Sequence, residues 1–291
     1  MFQFGDKSIY ILISFQSFNM HLAAGILFFI ILQDMKNLNI ALIQADLAWE
    51  NIKENLQKFE EKILEINADV DLFILPEMFS TGFSMNADAL AESPSGPTLN
   101  WMKRIANEKN AAITGSIIIK DNGQFFNRLY FVFPDTSFKQ YDKRHTFTLA
   151  KEDETYTAGT ERLIVEYKGW KICPLVCYDL RFPVWARNTV DYDLLIYVAN
   201  WPKTRIHAWD VLLQARAIEN MAYCAGVNRT GLDGNKYEYI GHTAVYDVLG
   251  APMFEKDEGE FTKIVTLDKD NLHYTRKNLK FLQDRDQFTL K

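Results

Sequence analysis

Three polar residues stand where apolar runs end. Glu77 follows Asp71-Leu72-Phe73-Ile74-Leu75-Pro76, Lys143 follows Phe138-Lys139-Gln140-Tyr141-Asp142, and Cys177 follows Trp170-Lys171-Ile172-Cys173-Pro174-Leu175-Val176. A carboxylate, an ammonium and a thiol are the parts that acyl transfer requires. A thiol attacks as thiolate and is mostly protonated at neutral pH, so it needs a base or a positive neighbour. A buried Glu with a raised pKa can take that proton. A Lys supplies positive charge to the oxyanion that forms when a carbonyl is attacked, and backbone N–H groups after Cys177 can add to it. Residue types alone do not bring the three groups into one pocket. A Cys after a strand is more often inert core filler. Glu77 after a proline can cap a helix or sit in a turn. Lys143 lies in the charged run Asp142-Lys143-Arg144-His145, the kind that usually faces solvent. Cys173 and Cys224 read as filler. Cys173 and Cys177 make a weak metal pair, since no further Cys or His stands with them at ligand spacing.

The elements that would position these residues show in the periodicity. Leu38, Ile40 and Leu42 alternate in a strand-like run, and Leu56, Phe59, Ile63 and Ile66 then recur as one face of an amphipathic helix. Val70–Leu75 is a second apolar run, closed by Pro76. This β-α-β opening points to an α/β layered fold. Further strands are predicted at 111–119, 129–133, 163–166, 170–176, 193–198, 223–228, 243–248 and 263–267, with helices at 98–110 and 208–221. A turn at Lys168-Gly169 joins two of the strands. No linker or repeat interrupts the pattern, so residues 37–285 read as one domain, with 286–291 as a polar tail. In open α/β architectures, strand ends and the loops that follow them are where sites are built.

Bulk properties narrow the class. The 291 residues are 48% hydrophobic, with 21 Phe and 13 Tyr, enough for a large core. The net charge of −6 argues against a nucleic-acid partner, which calls for a basic face. Three cysteines speak against a disulfide framework and for a reducing, cytoplasmic compartment. Residues 1–34 differ in character. Their longest apolar run, Leu22–Leu32, is 11 residues, short of the roughly 20 of a membrane span. Lys7 beside Asp6 makes a poor signal-peptide start, and no small-residue cleavage site follows. A weak membrane anchor, a secretory signal and a true start at Met35 (or Met20) compete, and the start at Met35 is the expectation. A membrane partner enters only if 1–34 is translated and retained.

Leu75-Pro76-Glu77-Met78-Phe79, Tyr141-Asp142-Lys143-Arg144-His145 and Val176-Cys177-Tyr178-Asp179-Leu180-Arg181-Phe182-Pro183 together resemble the nitrilase superfamily of carbon–nitrogen hydrolases, which carries a Glu-Lys-Cys triad in this order. "NIALIQAD" at 39–46, "YVANWP" at 197–202, "RAIENMAY" at 216–223 and "GVNRTGLDGN" at 226–235 look like its other landmarks, so the likeness covers about residues 37–285. It implies a four-layer α-β-β-α sandwich, a homodimer, and chemistry that needs neither a metal nor an organic cofactor. It also implies Cys177 as nucleophile, Glu77 as general base and acid, and Lys143 as oxyanion stabiliser. Glu152 is the matching auxiliary glutamate, with Glu154 a weaker candidate. Tyr178 would add a backbone N–H to the oxyanion hole, and Asp179 and Arg181 would hold the loop.

"EMFSTGFSM", "YDKRHTF", "CYDLRFPVW" and "VANWP" are most similar to the omega-amidase branch, which hydrolyses the terminal amide of 2-oxo acids such as 2-oxoglutaramate to a dicarboxylate and ammonia. Such a substrate carries a carboxylate, for which Arg144 is the candidate cation, and Phe79, Phe83 and Trp201 are candidate walls. Solvent for Arg144 and the core for each aromatic are the competing placements. Rival activities on the same triad are N-carbamoyl-amine hydrolysis and other aliphatic amide hydrolysis, with true nitrile hydrolysis a poorer fit. A catalytically silent binding protein on this fold is the rival from another class.

Overall fold

The computed structural model describes residues 37–289. The apolar extension at 1–34 and the last two residues of the 286–291 tail lie outside the described residues. From Leu38 onward the chain is one compact unit.

The chain opens with β1 (Asn37–Gln44), α1 (Ile52–Leu64) and β2 (Leu72–Ile74), and β2 lies parallel to β1 with Leu72 opposite Ile40. The Asn51 side chain starts α1 by accepting the Glu54 N–H, and Phe59 and Ile63 form its buried stripe. Next come α2 (Pro97–Lys109) and β3 (Ala112–Asp121). A proline in the first turn of α2 and left-handed Asn110 after its last turn mark its ends. β3 turns tightly through Asn122-Gly123, both at positive φ, into β4 (Gln124–Val132), and β5 (Phe138–Asp142) pairs with β4 at the edge. The Lys168-Gly169 turn, again with both residues at positive φ, joins β6 (Val165–Tyr167) to β7 (Trp170–Val176). Then follow β8 (Leu194–Ala199), α3 (Ile206–Asn220) and β9 (Tyr223–Asn228). The short β10 (Thr230–Leu232) and β11 (Glu238–Ile240) form a separate hairpin. β12 (Ala244–Tyr246), β13 (Phe261–Asp268) and α4 (Lys269–Leu279) follow, and single-turn helices at Ala87–Leu90, Glu152–Thr155 and Pro183–Ala186 lie in the connections.

Two sheets result, ordered β13-β1-β2-β3-β4-β5 and β12-β9-β8-β7-β6. Side-chain parity explains how they stack. On one face of the first sheet Ala41, Ile43, Phe73, Leu75 and Ile113 pack with Phe59 and Ile63 of α1 and Leu99, Met102 and Ile105 of α2. On the other face Leu38, Ile40, Leu42, Leu72 and Ile74 join Ile172, Leu194 and Val198 of the second sheet. Trp209, Leu213 and Ala217 of α3 belong to that same core. A strand alternates its side chains between two faces, so a strand that is apolar on both needs cover on both. The outcome is the four-layer α-β-β-α sandwich. Each fully buried aliphatic side chain contributes roughly 1.5–3 kcal/mol against the entropy of ordering the chain.

Four of these elements escape the sequence pattern. β5 is an edge strand with mostly exposed, polar residues, the composition that keeps an edge from pairing with other chains. The β10–β11 hairpin is too short to show a period. α4 is capped by Asp268 but buries only Leu272 and Thr275.

Candidate active site

β2, β5 and β7 all end at one side of the sandwich. Glu77 follows β2 and is completely buried. Its Oε1 accepts from Lys143 Nζ at 2.9 Å and Asn127 Nδ2 at 2.8 Å, and its Oε2 accepts from the Asn200 backbone N–H at 2.8 Å. Asn200 also donates from Nδ2 to the Glu77 carbonyl at 2.5 Å, tying the end of β8 to the end of β2. The next residue, Met78, sits at φ 41° and its N–H is held by Ser116 Oγ at 2.9 Å.

Lys143, one residue past β5, reaches between two carboxylates. Its Nζ donates to Glu77 and to both oxygens of Glu152, at 2.9 and 2.8 Å. Burial by itself would push this ammonium's pKa down, but the Glu152 and Glu77 charges outweigh it and hold Lys143 above the ordinary lysine range. Glu152 also accepts the Phe147 N–H at 2.5 Å and an Asn127 Nδ2–H at 3.2 Å. Burial pushes the Glu152 carboxyl up, against the lowering effect of Lys143. Glu154 is exposed and pairs with Lys151, so Glu152 occupies the buried position.

Cys177 opens the turn after β7 at φ 45°, a conformation few side-chain-bearing residues adopt. Backbone strain of this kind concentrates at functional sites. Its Sγ lies 3.9 Å from the Asn200 carbonyl, and the Glu77 and Lys143 charges act on the thiol. Burial first, then the Glu77 charge, push the thiol well above its ordinary value; Lys143 offsets this only in part. Burial therefore favours the neutral thiol at rest. Asp179 pins the turn: it accepts from the Val176 N–H at 3.0 Å, from the Tyr141 hydroxyl at 2.8 Å and from the His145 N–H at 3.0 Å. One carboxylate thus ties the Cys177 turn to the segment carrying Lys143.

A cleft of about 600 Å³ opens onto Cys177 and Lys143, with Phe83, Tyr178, Trp201 and Tyr237 among its walls. Phe83 and Trp201, two of the candidate walls, line this cleft, and so does Tyr178. Phe79 does not: it is fully buried in the helix-side core, against Phe59 at 5.5 Å and Trp101 at 5.8 Å. Positive φ at Met78 breaks strand alternation, so Phe79 turns away from the site. Arg144 is likewise outside the cleft. Its guanidinium stacks over Trp185 and donates to the Gly159 carbonyl, pointing opposite to its neighbour Lys143. The cleft's arginines are Arg181, given only a loop-holding role from sequence, and Arg205, not singled out at all. Asn127 and Asn200 were also missed. Asn127 stands beside Arg128, just before the apolar run at 129–133, with no local signal to single it out, while the "VANWP" motif contains Asn200. Cys173 and Cys224 are free and fully buried, remote from solvent as filler should be. Among the described residues no cluster of His, Cys, Asp and Glu could hold a metal, and no helix is long and apolar enough to cross a membrane.

A family model described as carbon–nitrogen hydrolase matches residues 39–277. The chain belongs to the carbon–nitrogen hydrolase family and is a hydrolase acting on carbon–nitrogen bonds other than peptide bonds. It is 42% identical to Omega-amidase YafV of Yersinia enterocolitica, over 88% of this chain and all of that one. It is 34% identical to a 2-oxoglutaramate amidase of Bacillus subtilis, over 76% of this chain and 87% of the relative. The fold is similar to that of XC1258 of Xanthomonas campestris, a CN-hydrolase superfamily protein with an arsenic adduct in its active site. The TM-score is 0.86 at 43% identity, covering 88% and 99% of the two chains.

Proposed function

We infer that this chain is an omega-amidase that hydrolyses the terminal amide of a 2-oxo acid of the 2-oxoglutaramate kind. The observation that carries the reading is the buried Glu77–Lys143–Glu152 network set against Cys177 in a chain this similar to omega-amidases. Cys177 Sγ attacks the amide carbonyl while its proton passes to Glu77. Lys143 Nζ and the Tyr178 backbone N–H stabilise the oxyanion. The carbon–nitrogen bond breaks as Glu77 returns the proton to the departing ammonia, leaving a thioester on Cys177. Water, deprotonated by Glu77, attacks the thioester. The carbon–sulfur bond breaks, the thiol recovers its proton and the dicarboxylate leaves. Glu152 holds Lys143 in place.

Ammonia release from 2-oxoglutaramate, compared with N-carbamoyl amines and simple aliphatic amides, tests the reading. The expected result is the highest kcat/KM on the 2-oxo acid amide. A higher value on a carbamoyl amine would move the chain to that branch.

We further propose a homodimer. Tyr274, Phe281 and Phe288 are exposed near the carboxyl end and suit cover by a second copy. Light scattering that returns the mass of a single chain would remove it. The free, buried cysteines suit the reducing cytoplasm, which cell fractionation checks.

A further inference from the structure

The charged groups around the cleft are unequally satisfied. Lys143 is engaged by two carboxylates. On the acidic side, Glu50 accepts from Ser84 Oγ at 2.5 Å and from Asn86 Nδ2 at 3.2 Å. Asp233 accepts from the Asn235 N–H at 2.8 Å and from the Tyr237 N–H and Tyr239 hydroxyl at 2.9 Å each. The two arginines lack any carboxylate within ion-pair reach among the described residues. Arg181 lies exposed with its guanidinium 5.0 Å from the centre of the Trp201 ring. Arg205 is half-buried, its guanidinium 5.0 Å from the centre of the Phe147 ring.

Arg205 is also the more firmly placed. It closes the short turn at the start of α3, where its N–H donates to the Pro202 carbonyl at 3.0 Å. Its own carbonyl accepts Trp201 Nε1–H at 2.8 Å. Trp201 adjoins Asn200, whose carbonyl faces Cys177. Phe147, beneath the guanidinium, is anchored through its N–H to Glu152. Both the backbone and the ring supporting Arg205 are thus tied to the reacting end of the cleft. A guanidinium resting on an aromatic face keeps its N–H edge free for bidentate contact with a carboxylate. A partly desolvated cation without a counter-ion gains more from an anionic ligand than an exposed one does.

We propose that Arg205 binds the carboxylate of the substrate, at the end of the molecule away from the scissile amide, and so selects amides that carry an acid group. This rests on the amidase reading above and deepens it. The role of Arg205 is specificity; bond cleavage belongs to the groups around Cys177.

The test compares full-length wild type, Arg205→Ala, Arg205→Lys and Arg181→Ala. One readout is the ratio of kcat/KM for 2-oxoglutaramate to that for pentanamide, a neutral amide of similar length. Arg205→Ala is expected to lower the ratio roughly 10- to 100-fold, mainly through KM for the charged substrate, the scale set by losing a charge-assisted hydrogen bond. Arg205→Lys should recover part of it, and Arg181→Ala should change it less than about threefold. The second readout needs no turnover: the concentration of glutarate, a simple dicarboxylate, that halves alkylation of Cys177 by iodoacetamide. It should rise at least about tenfold in Arg205→Ala. Equal losses on both amides, an Arg181→Ala effect as large as that of Arg205→Ala, or no protection of the wild type by glutarate each overturn the proposal. Protection that depends on Arg205, without turnover of 2-oxoglutaramate, sinks the substrate assignment alone.

Discussion

Replacing Cys177 by Ala is expected to lower kcat for ammonia release on the order of 10⁴- to 10⁶-fold, the scale seen when a covalent nucleophile is removed. The fold should survive. The side chain loses one atom beside a cleft, at a cost of about 1 kcal/mol, and the Glu77, Lys143, Glu152, Asn127 and Asn200 contacts do not pass through the sulfur. A mutant keeping more than a hundredth of wild-type activity with an unchanged melting curve would take Cys177 out of the reaction.

The state of the thiol adds a pH signature. Burial and then Glu77 hold its pKa above the ordinary 9.0, so thiolate absorbance near neutral pH should be missing. Alkylation must proceed through proton transfer to Glu77, and Glu77→Gln should slow it by about 10²-fold or more. The sign for stability follows from the same shift. The folded chain keeps a proton that the unfolded chain releases above pH about 9, so this contribution is whole below that pH and is lost as pH rises. Cys173, pushed up to about 12 by burial, adds in the same direction. Urea midpoints should therefore fall between pH 9 and 11. A flat profile would contradict the burial of both thiols.

Lys143→Met is expected to cost roughly 3–5 kcal/mol of stability at neutral pH and about 10²- to 10³-fold in kcat. Met has similar reach without charge. The change leaves Glu77 and Glu152, both fully buried, without the cation they share. Glu152 is already held above the ordinary carboxylate range with Lys143 present. Without it, one carboxyl must take a proton on folding. A folded pKa raised above the unfolded one stabilises at low pH and is lost as pH rises, so the deficit should shrink toward pH 5. Lys143→Met combined with Glu152→Gln should recover part of the stability and none of the activity. Recovery of both would make Lys143 a structural counter-ion only.

The sequence alone was enough to nominate residues for the chemistry, largely through resemblance. Glu77 and Cys177 were legible because each ends a strongly apolar run, and apolar runs are where strands form; Lys143, after the polar edge strand β5, was legible through the resemblance of Tyr141–His145. Alternation at 38, 40 and 42 against 41 and 43 marked a strand covered on both faces. Glu152 was legible only through resemblance, since nothing local sets it apart from Glu154. Which way a side chain points once regular structure stops was decided by tertiary structure. Phe79 and Arg144 each lie within two residues of a site residue, yet both face elsewhere: positive φ at Met78 re-aims one, and packing on Trp185 captures the other. Asn127, Asn200 and Arg205 join the site from β4, the end of β8 and the start of α3, far apart in sequence. A local pattern records one chain's period and its breaks. The convergence of several strand ends on one cleft depends on how two sheets stack and twist, and only the folded chain specifies that.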